Sequence, residues 1–355
     1  MDLLHAHHPT TALPTVRRRG VSDDVRVTTA TRVPVTVDLD GDELDAEDAW
    51  HTIRHHGGWR LLKDSFVRFR YGDGFTNSRA LALQGALALV PFLLALTGLS
   101  ADIDDGRAAG VVASTVESLT PGGGTADTVG DTLRQDDASA ERAGEIALGF
   151  GLGFALLAMT TATAQVERGS NRIYGIPRDR PALNKYGRAA VLTVILAVPV
   201  GVGFVLLVAG GPLGDALAST YGWSPGEDRA WRVLRWPAGL TVTTFAIAVL
   251  LDHAPRRRQP ELSWLSLGAG ISVVLTVLAS GGLALYVRVS GSFGDVYGPL
   301  AGVMALLVWC YLASIALLFG TAVAAQMEAL RAGLHDPVEP DPGPTPSPEP
   351  AHDPH

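Results

Sequence analysis

The chain has 355 residues, of which 47% are hydrophobic and 18% charged, and its formal net charge is −8. Soluble domains carry about 25% charged residues, so this shortage of charge indicates a membrane environment. The acidic total argues against a nucleic-acid-binding protein, which would need a basic surface. The single cysteine, Cys310, excludes disulfides within the chain and a zinc cluster built from cysteines.

Both ends of the chain have the composition of disordered segments. Residues 1–55 are predicted to form a disordered cytoplasmic arm, because acidic residues cluster between Asp38 and Asp48 among Thr, Val and Pro. Residues 334–355 are rich in Pro and acidic residues and are predicted to form a disordered cytoplasmic tail. The histidines near the start, such as those at 5, 7 and 8, lie in this arm without a fixed carboxylate or cysteine. We therefore predict no metal site and no cofactor.

Residues 56–333 are predicted to form one membrane domain. This region contains six stretches without Asp, Glu, Lys or Arg: Ala80–Ala101, Ile146–Val166, Ala189–Gly214, Trp236–Leu251, Leu262–Val287 and Val296–Met327. A membrane-spanning helix needs about 20 apolar residues. The predicted spans are about 80–101, 146–166, 189–211, 234–254, 265–287 and 298–324. The fold class is therefore an all-α membrane helix bundle with six transmembrane helices and disordered N- and C-terminal tails.

The basic residues favour one orientation in the membrane. They concentrate before the first span, between the second and third spans (residues 168–188), and between the fourth and fifth spans at Arg256, Arg257 and Arg258. The loop from Asp102 to Glu145 is acidic instead. By the positive-inside rule, the protein lies in the bacterial inner membrane with both termini in the cytoplasm.

The segment Glu167–Arg188, called the elbow below, has the most distinctive sequence. If the second helix continues beyond the membrane, Glu167 and Asn171 share one face and Arg168 and Arg172 share another. Its sequence favours either a rigid connection or a site for phosphate or a lipid headgroup. Asp179 should pair with a nearby arginine, for which Arg172 and Arg180 are the candidates. The sequence Tyr174–Pro177 is predicted to end that helix. The predicted structural residues of the elbow are Glu167, Tyr174, Gly175, Asp179 and Pro181.

Candidate substrate contacts combine this elbow with polar or kinked positions in the first span. Proline removes a helix hydrogen bond, so a kink at Pro91 can line a cavity or serve packing alone, and Gln84 is polar at membrane depth. The predicted substrate-binding residues are Gln84, Pro91, Arg168, Asn171, Arg172 and Arg180.

A basic amphipathic helix is predicted just before the first span. Trp59, Leu62, Phe66 and Phe69 recur at helical spacing among basic residues. Such a helix can lie in the anionic leaflet, or it can pack beneath the bundle.

Six ordered motifs resemble those of the YihY/virulence factor BrkB family. They are RALA with Gln84 and Pro91, ERGSNRIYGIPRDRP with Lys185 and Tyr186, LRWPAGL, HAPRRRQPELSW, FGDVYGPLAG and AAQMEALRAG, between Trp59 and Gly333. The resemblance implies a multi-pass inner-membrane protein of a family linked to serum resistance and envelope lipid traffic. The family was once labelled a tRNA-processing ribonuclease. Nuclease chemistry is disfavoured here, because the densest His group lies in the arm without an aspartate partner. We predict that the protein is not an enzyme.

Two functions remain at this point. A transporter or lipid flippase for an amphipathic anionic substrate fits the polar and kinked positions and the basic elbow. A non-transporting envelope scaffold or partner-binding protein fits the near absence of ionisable residues within the spans, which contain no acidic residue in any of the six charge-free stretches. The expected partners are membrane lipids and a lipid or amphipathic solute, with no nucleic acid, and a homo-oligomer is allowed.

Overall fold

The computed structural model describes residues 31–36, 45–101, 137–289 and 301–340. Side chains at positions 90, 93, 94, 96–101 and 137–148 fall outside this description. The chain divides into two compact units. One is Thr31–Glu339, and the other consists of Met1–Ala30 and Pro340–His355. The second unit lies almost entirely outside the described residues. The account below therefore concerns the first unit.

Helices dominate the described residues, and the two strands are short. In chain order the elements are β1 (Thr31–Arg32), α1 (Ala46–His56), α2 (Gly58–Tyr71), α3 (Gly74–Ala101), α4 (Asp137–Ile173), α5 (Ala182–Phe204), a π-helical turn (Val205–Ala209), α6 (Gly210–Tyr221), α7 (Pro225–His253), α8 (Leu262–Val289), α9 (Ala301–Arg331) and β2 (Glu339–Pro340). The strands β1 and β2 form a two-stranded sheet. The predicted all-α fold class is confirmed.

Five helical segments in the described part of the chain are long and apolar enough to cross a membrane. They are Gly149–Ile173, Ala182–Tyr221, Pro225–His253, Leu262–Val289 and Ala301–Arg331. The predicted first span lies within α3, a 28-residue helix in which most side chains from position 93 to its C-terminal end are not described. The helices extend beyond the charge-free stretches, because a helix that satisfies its own backbone can continue into the polar region.

The six long helices form a closed ring. Helix α3 packs on α4, α4 on α5, α5 on α7, α7 on α8, α8 on α9, and α9 returns to α3. Small residues set the closest crossing, where a side chain at Gly320 of α9 would collide with Ser272 and Gly268 of α8. Helices in lipid gain stability mainly from such close backbone packing, so these small residues fix how α8 and α9 cross.

The described residues include pieces of both predicted terminal arms, namely 31–36 and 45–55 of the first and 334–340 of the second. Residues 46–55 belong to α1, which begins at the N-cap Asp45 and buries Ala49 in a cluster with Trp264 and Met327. The strands β1 and β2 lie in the two predicted arms, and Arg32 Nε donates to Glu339 Oε1 at 2.8 Å. Composition alone predicts disorder for these segments, because it does not include their stabilising contacts with residues distant in sequence.

Candidate functional site at the basic end of the bundle

Contacts distant in sequence gather the basic segments at one end of the ring. Asn171 of the elbow accepts from the backbone N–H of Arg256 at 2.8 Å, which joins the elbow to the α7–α8 connection. Tyr174 donates to Glu328 near the end of α9, and Arg68 of α2 donates to the carbonyl of Ile173. We call this the basic end of the bundle. It contains α2, the elbow, residues 254–261 and the last turns of α9.

The elbow begins where α4 ends, at Ile173, because the next residues cannot continue a helix. Gly175 has φ +76°, and a side chain there would collide with the carbonyl of Pro34. Glycine adopts this left-handed conformation without steric cost. Pro181 then precedes the first residue of α5. The predicted helix break is therefore present, and Gly175 is needed both for its conformation and for the close approach of the N-terminal segment.

Two predicted residues of the elbow, Glu167 and Arg180, form an ion pair. Arg180 Nη1 lies 3.0 Å from Glu167 Oε1, and the same guanidinium donates to the carbonyls of Ala254 and Pro255 at 3.2 and 3.0 Å. The pair joins α4 to the residues after α7. Arg180 is thus engaged in internal contacts, although it was predicted as a substrate ligand.

Asp179 pairs with groups other than its two candidate arginines. Its carboxylate accepts from Lys185 Nζ and Asn171 Nδ2, each at 3.1 Å, and Arg168 Nε lies 4.0 Å away. Arg168 is thus the nearby arginine that pairs with Asp179, in place of the candidates Arg172 and Arg180, because α5 turns Lys185 back toward Asp179 and Glu167 occupies Arg180. Burial alone would raise the pKa of Asp179. The hydrogen bonds from Asn171 and Lys185, and the positive charges of Lys185 and Arg168, outweigh burial and hold that pKa below its ordinary 3.8.

Beneath the elbow lies a buried cluster that comprises Arg68, Tyr174, Arg257, Gln326 and Glu328. Arg68 is fully buried and donates to the carbonyls of Ile173 at 2.9 Å and Pro34 at 3.3 Å. It also donates to Gln326 Oε1 at 3.3 Å and to the hydroxyl of Thr36. All four acceptors are neutral, and burial lowers the pKa of Arg68 to about 10. The guanidinium stays charged at neutral pH and ties the N-terminal segment to α4 and α9.

The other half of the cluster is ionic. Arg257 Nη1 donates to Glu328 Oε2 at 2.6 Å, and the Arg257 guanidinium lies 4.7 Å from the centre of the Tyr174 ring. The Tyr174 hydroxyl donates to Glu328 Oε1 at 2.7 Å. Burial, reinforced by the carboxylate of Glu328, raises the pKa of Tyr174 well above 10. Tyr174 is therefore a neutral hydrogen-bond donor at physiological pH.

Sequence reasoning missed most of this cluster. Tyr174 had been assigned to the elbow. Arg257 and Arg68 had been counted only as basic residues, of a connection and of an amphipathic helix, and Gln326 and Glu328 had no predicted role. Glu328 carried one usable signal, since it is the first charge after the long charge-free stretch of α9. Its burial could not be read from that position alone.

The remaining predicted substrate residues are dispersed. Asn171 is fully buried between Asp179 and Arg256, Arg168 is exposed, and Arg172 is half-buried. Gln84 lies in α3, and its Oε1 is buried without a hydrogen-bond partner among the described residues. Pro91 lies inside α3, where its carbonyl faces Gly151 of α4 so closely that a side chain at Gly151 would collide with it. The structure does not bring these six residues into one site.

A groove of about 400 Å³ opens beside the elbow between α4, α5 and α7. Its polar wall includes Thr163, Asn184, Arg188 and His253, together with Glu167. Its apolar wall comes from Leu183, Val191, Leu192 and Ile195 of α5, with Ala189 and Ala254. Arg188 directly precedes the charge-free stretch of α5, so the groove runs from the end of that stretch toward its interior.

The groove offers one available cation. Arg188 is exposed and makes no ion pair or hydrogen bond within the part of the chain that the structure describes. Glu167 is paired with Arg180, while His253 Nδ1 lies 3.0 Å from Asp252 Oδ2. An anion in the groove would therefore meet Arg188 without a bare carboxylate beside it.

Comparisons with known proteins identify several bacterial relatives of this chain. The ribonuclease-like protein YfkH of Bacillus subtilis is 23% identical over 269 residues, which cover 75% of this chain and 94% of YfkH. UPF0761 membrane proteins of Chromohalobacter salexigens and Rhodospirillum centenum are each 28% identical, over 75% and 79% of this chain. The matched regions span 62% and 60% of those two relatives. No solved structure matches.

The decisive comparison is with a protein family. The sequence model of the virulence factor BrkB family matches residues 65–343, which include α3 to α9 and all of the basic end except the start of α2. The chain is a membrane protein and belongs to the virulence factor BrkB family.

Proposed function

We propose that this protein binds an amphipathic anionic molecule at the groove and moves it across the membrane, with phospholipid-type headgroups as the substrate class. The observation that carries the proposal is the composition of the groove. An unpaired Arg188 stands at its polar mouth, and an apolar wall on α5 continues from there into the charge-free stretch.

The dimensions of the groove support an amphipathic occupant. Ile195 lies seven residues beyond Arg188, which is about 10 Å along a helix. A headgroup phosphate bound at Arg188 could therefore place the start of its chains against Val191, Leu192 and Ile195. Arginine suits this role, because its planar guanidinium binds two phosphate oxygens at once.

The earlier candidates take secondary roles in this proposal. Arg168 and Arg172 follow Glu167 of the groove wall by one and five residues on α4, and they can attract an anion toward this end of the bundle. Gln84 is outside the groove, but its unpaired Oε1 offers a polar contact at membrane depth in α3. Asn171 and Arg180 support the elbow and do not contact the substrate.

The proposed orientation places the basic end in the cytoplasm of a bacterial cell, with the protein in the inner membrane. Its support is the gathering of the basic connections at one end of the ring. A single cysteine at His335, in a Cys310→Ala background, should react with an impermeant maleimide in inverted vesicles and not in intact cells. The opposite pattern would reverse the orientation.

The transport proposal is tested by headgroup accessibility in proteoliposomes. Fluorescent phosphatidylglycerol should cross faster in vesicles with the protein than in matched empty vesicles. Arg188→Ala should slow this movement about tenfold or more, because a hydrogen bond to a charged group contributes about 1.5–3 kcal/mol. Phosphatidylcholine, whose headgroup has no net charge, should be affected less.

The matched control is Arg178→Ala, which removes an exposed arginine of the same elbow that does not line the groove. It should move lipid at the wild-type rate. Equal rates for the folded wild-type protein and for empty vesicles would reject transport.

A scaffold that binds a partner without transport is the second candidate. The observation that favours it is the internal pairing of Glu167 with Arg180 and of Arg257 with Glu328, which leaves the basic end braced. In that case Arg188→Ala would leave lipid movement unchanged.

Ribonuclease activity is not part of the proposal, although one relative has a ribonuclease-like name. The net charge of −8 disfavours an RNA-binding surface. In the described segments, no three His, Cys, Asp or Glu side chains are grouped to hold a metal ion. Purified protein should leave labelled transfer RNA intact with Mg²⁺, Mn²⁺ or Zn²⁺, and cleavage that copurifies with the folded protein would contradict this.

A further inference from the structure

Helix α2 has two faces of opposite character. Leu61, Ser65, Arg68 and Phe69 are buried against the bundle. The apolar stripe predicted from sequence is exposed over most of its length, with exposed fractions of 82% for Trp59, 36% for Leu62 and 47% for Phe66. Single exposed apolar residues are ordinary, but an aligned group of three with two aromatics forms a patch that needs a partner.

The position of α2 along α9 shows where this patch lies relative to the membrane. Leu61 belongs to a buried cluster with Val323 and Ala324, and the ring centres of Phe69 and Phe319 are 6.1 Å apart. The charge-free stretch of α9 continues to Met327. Because a helix rises 1.5 Å per residue, Phe319 lies about 12 Å inside that end. Helix α2 therefore packs beside the last part of a membrane-spanning stretch.

The charges on the exposed side of α2 are positive. At 100° per residue, Lys63 and Arg70 fall in the same sector as Trp59, Leu62 and Phe66, and Arg60 flanks it. Lys63 and Arg60 make no ion pair or hydrogen bond within the described ranges, and Arg70 stacks on Tyr71. The single acid of α2, Asp64, is turned to His56, with 2.9 Å between Oδ2 and Nε2. The surface thus complements an anionic partner.

We propose that the face formed by Trp59, Leu62, Lys63, Phe66 and Arg70 lies in the headgroup region of an anionic lipid leaflet. Its apolar side chains insert at the boundary with the acyl chains, while Lys63 and Arg70 bind lipid phosphates. Amphipathic helices of this composition lie about 5–10 Å deep in that boundary. Helix α2 meets α9 at a similar level, because Ala324 and Phe319 lie about 5 and 12 Å inside the end of the charge-free stretch of α9. This anchoring does not depend on lipid transport by the groove.

The test uses the full chain in nanodiscs, with a fluorophore on a single cysteine in a Cys310→Ala background. Brominated lipids with bromine near the headgroup should quench the label at Phe66→Cys more strongly than at His335→Cys, an exposed position beyond α9. Leu62→Cys provides a second label position on the same face, should Phe66→Cys fold poorly. Quenching at either α2 position should increase with the fraction of phosphatidylglycerol.

The charge contribution is tested with the double variant Lys63→Gln/Arg70→Gln, which should lose the dependence on phosphatidylglycerol. Arg178→Gln/Arg258→Gln, which also removes two positive charges from the basic end, should keep it. Quenching at Phe66→Cys and Leu62→Cys no stronger than at His335→Cys would overturn the proposal. Cross-linking between copies through these positions, without lipid quenching, would also overturn it and would assign the face to a second copy of the chain.

Discussion

The buried cluster and the groove lie at the same end of the bundle and use arginine in opposite ways. In the cluster, Arg68 donates to four internal acceptors and Arg257 binds Glu328. In the groove, Arg188 is exposed without an ion pair in the described part of the protein. The positive-inside pattern accounts for both sets equally well. Burial and partners separate an arginine that braces the bundle from one that is available to a ligand.

The effect of removing an arginine on the stability of the protein also differs between the buried cluster and the groove. Removing one partner from a buried polar network leaves other groups without water or hydrogen bonds, which is strongly destabilising. Removing an exposed arginine costs little stability, because its interactions are screened by solvent. Substitutions in the cluster should therefore change stability, while substitutions in the groove should change substrate handling.

The largest effect is expected for Arg68→Met, which keeps much of the side-chain volume and removes the guanidinium. The carbonyls of Ile173 and Pro34 and the amide oxygen of Gln326 would lose their donor, at about 1–3 kcal/mol for each buried group left unsatisfied. Relief from burying a charge offsets part of this loss, so we expect a net destabilisation of about 3 kcal/mol. Thermal unfolding in detergent measures it.

Arg70→Met is the matched control for that variant, since it makes the same change on the exposed side of α2. Its melting temperature in detergent should stay close to that of wild type. If Arg68→Met and Arg70→Met melt together, the bracing role of Arg68 is wrong.

A smaller effect is expected for Tyr174→Phe. The variant removes the hydroxyl that donates to Glu328 Oε1 at 2.7 Å and keeps the ring beside Arg257. A hydrogen bond to a charged group is worth about 1.5–3 kcal/mol, and the loss should fall at the low end because Arg257 still binds the same carboxylate. Tyr186→Phe, on an exposed position of α5, should leave the unfolding temperature unchanged. An equal response of the two variants would place the Tyr174 hydroxyl outside the bracing network.

The smallest of the three effects is expected for Asp179→Ala, because this carboxylate is about a quarter exposed and solvent screens its ion pairs. We expect a loss of about 1 kcal/mol. A double-mutant cycle with Lys185→Ala should show that most of this loss depends on the Asp179–Lys185 pair. Additive losses from the two single variants would show that the pair contributes nothing.

The same variant has a defined pH dependence. The pKa of Asp179 in the folded protein is below 3.8, so its contribution is fully present above the unfolded value. That contribution disappears as pH falls through the lower folded pKa. The difference in unfolding temperature between wild type and Asp179→Ala should therefore be constant near neutral pH and shrink below about pH 4.

Local signals were sufficient for some features of the site. The charge-free stretches located the long helices, and the Tyr174–Pro177 sequence located the end of α4, because hydropathy and backbone restrictions act within a few residues. The same reasoning could not separate polar residues that make internal contacts from those that remain exposed. Asn171 and Arg180 are polar residues in a basic connection, yet both are used inside the elbow, and Arg188 was not singled out.

By itself, the sequence determined that this chain is a helical membrane protein whose basic connections share one side. Long apolar runs can be stable only where lipid or protein covers them, and charge placement follows the membrane face. Only the tertiary structure decided that Asp179 binds Lys185, that Glu328 is buried between Tyr174 and Arg257, and that Pro34 and Thr36 accept from Arg68. The partners in the last two cases are separated by between 32 and 154 residues. Such contacts depend on how helices cross, which local propensity does not specify.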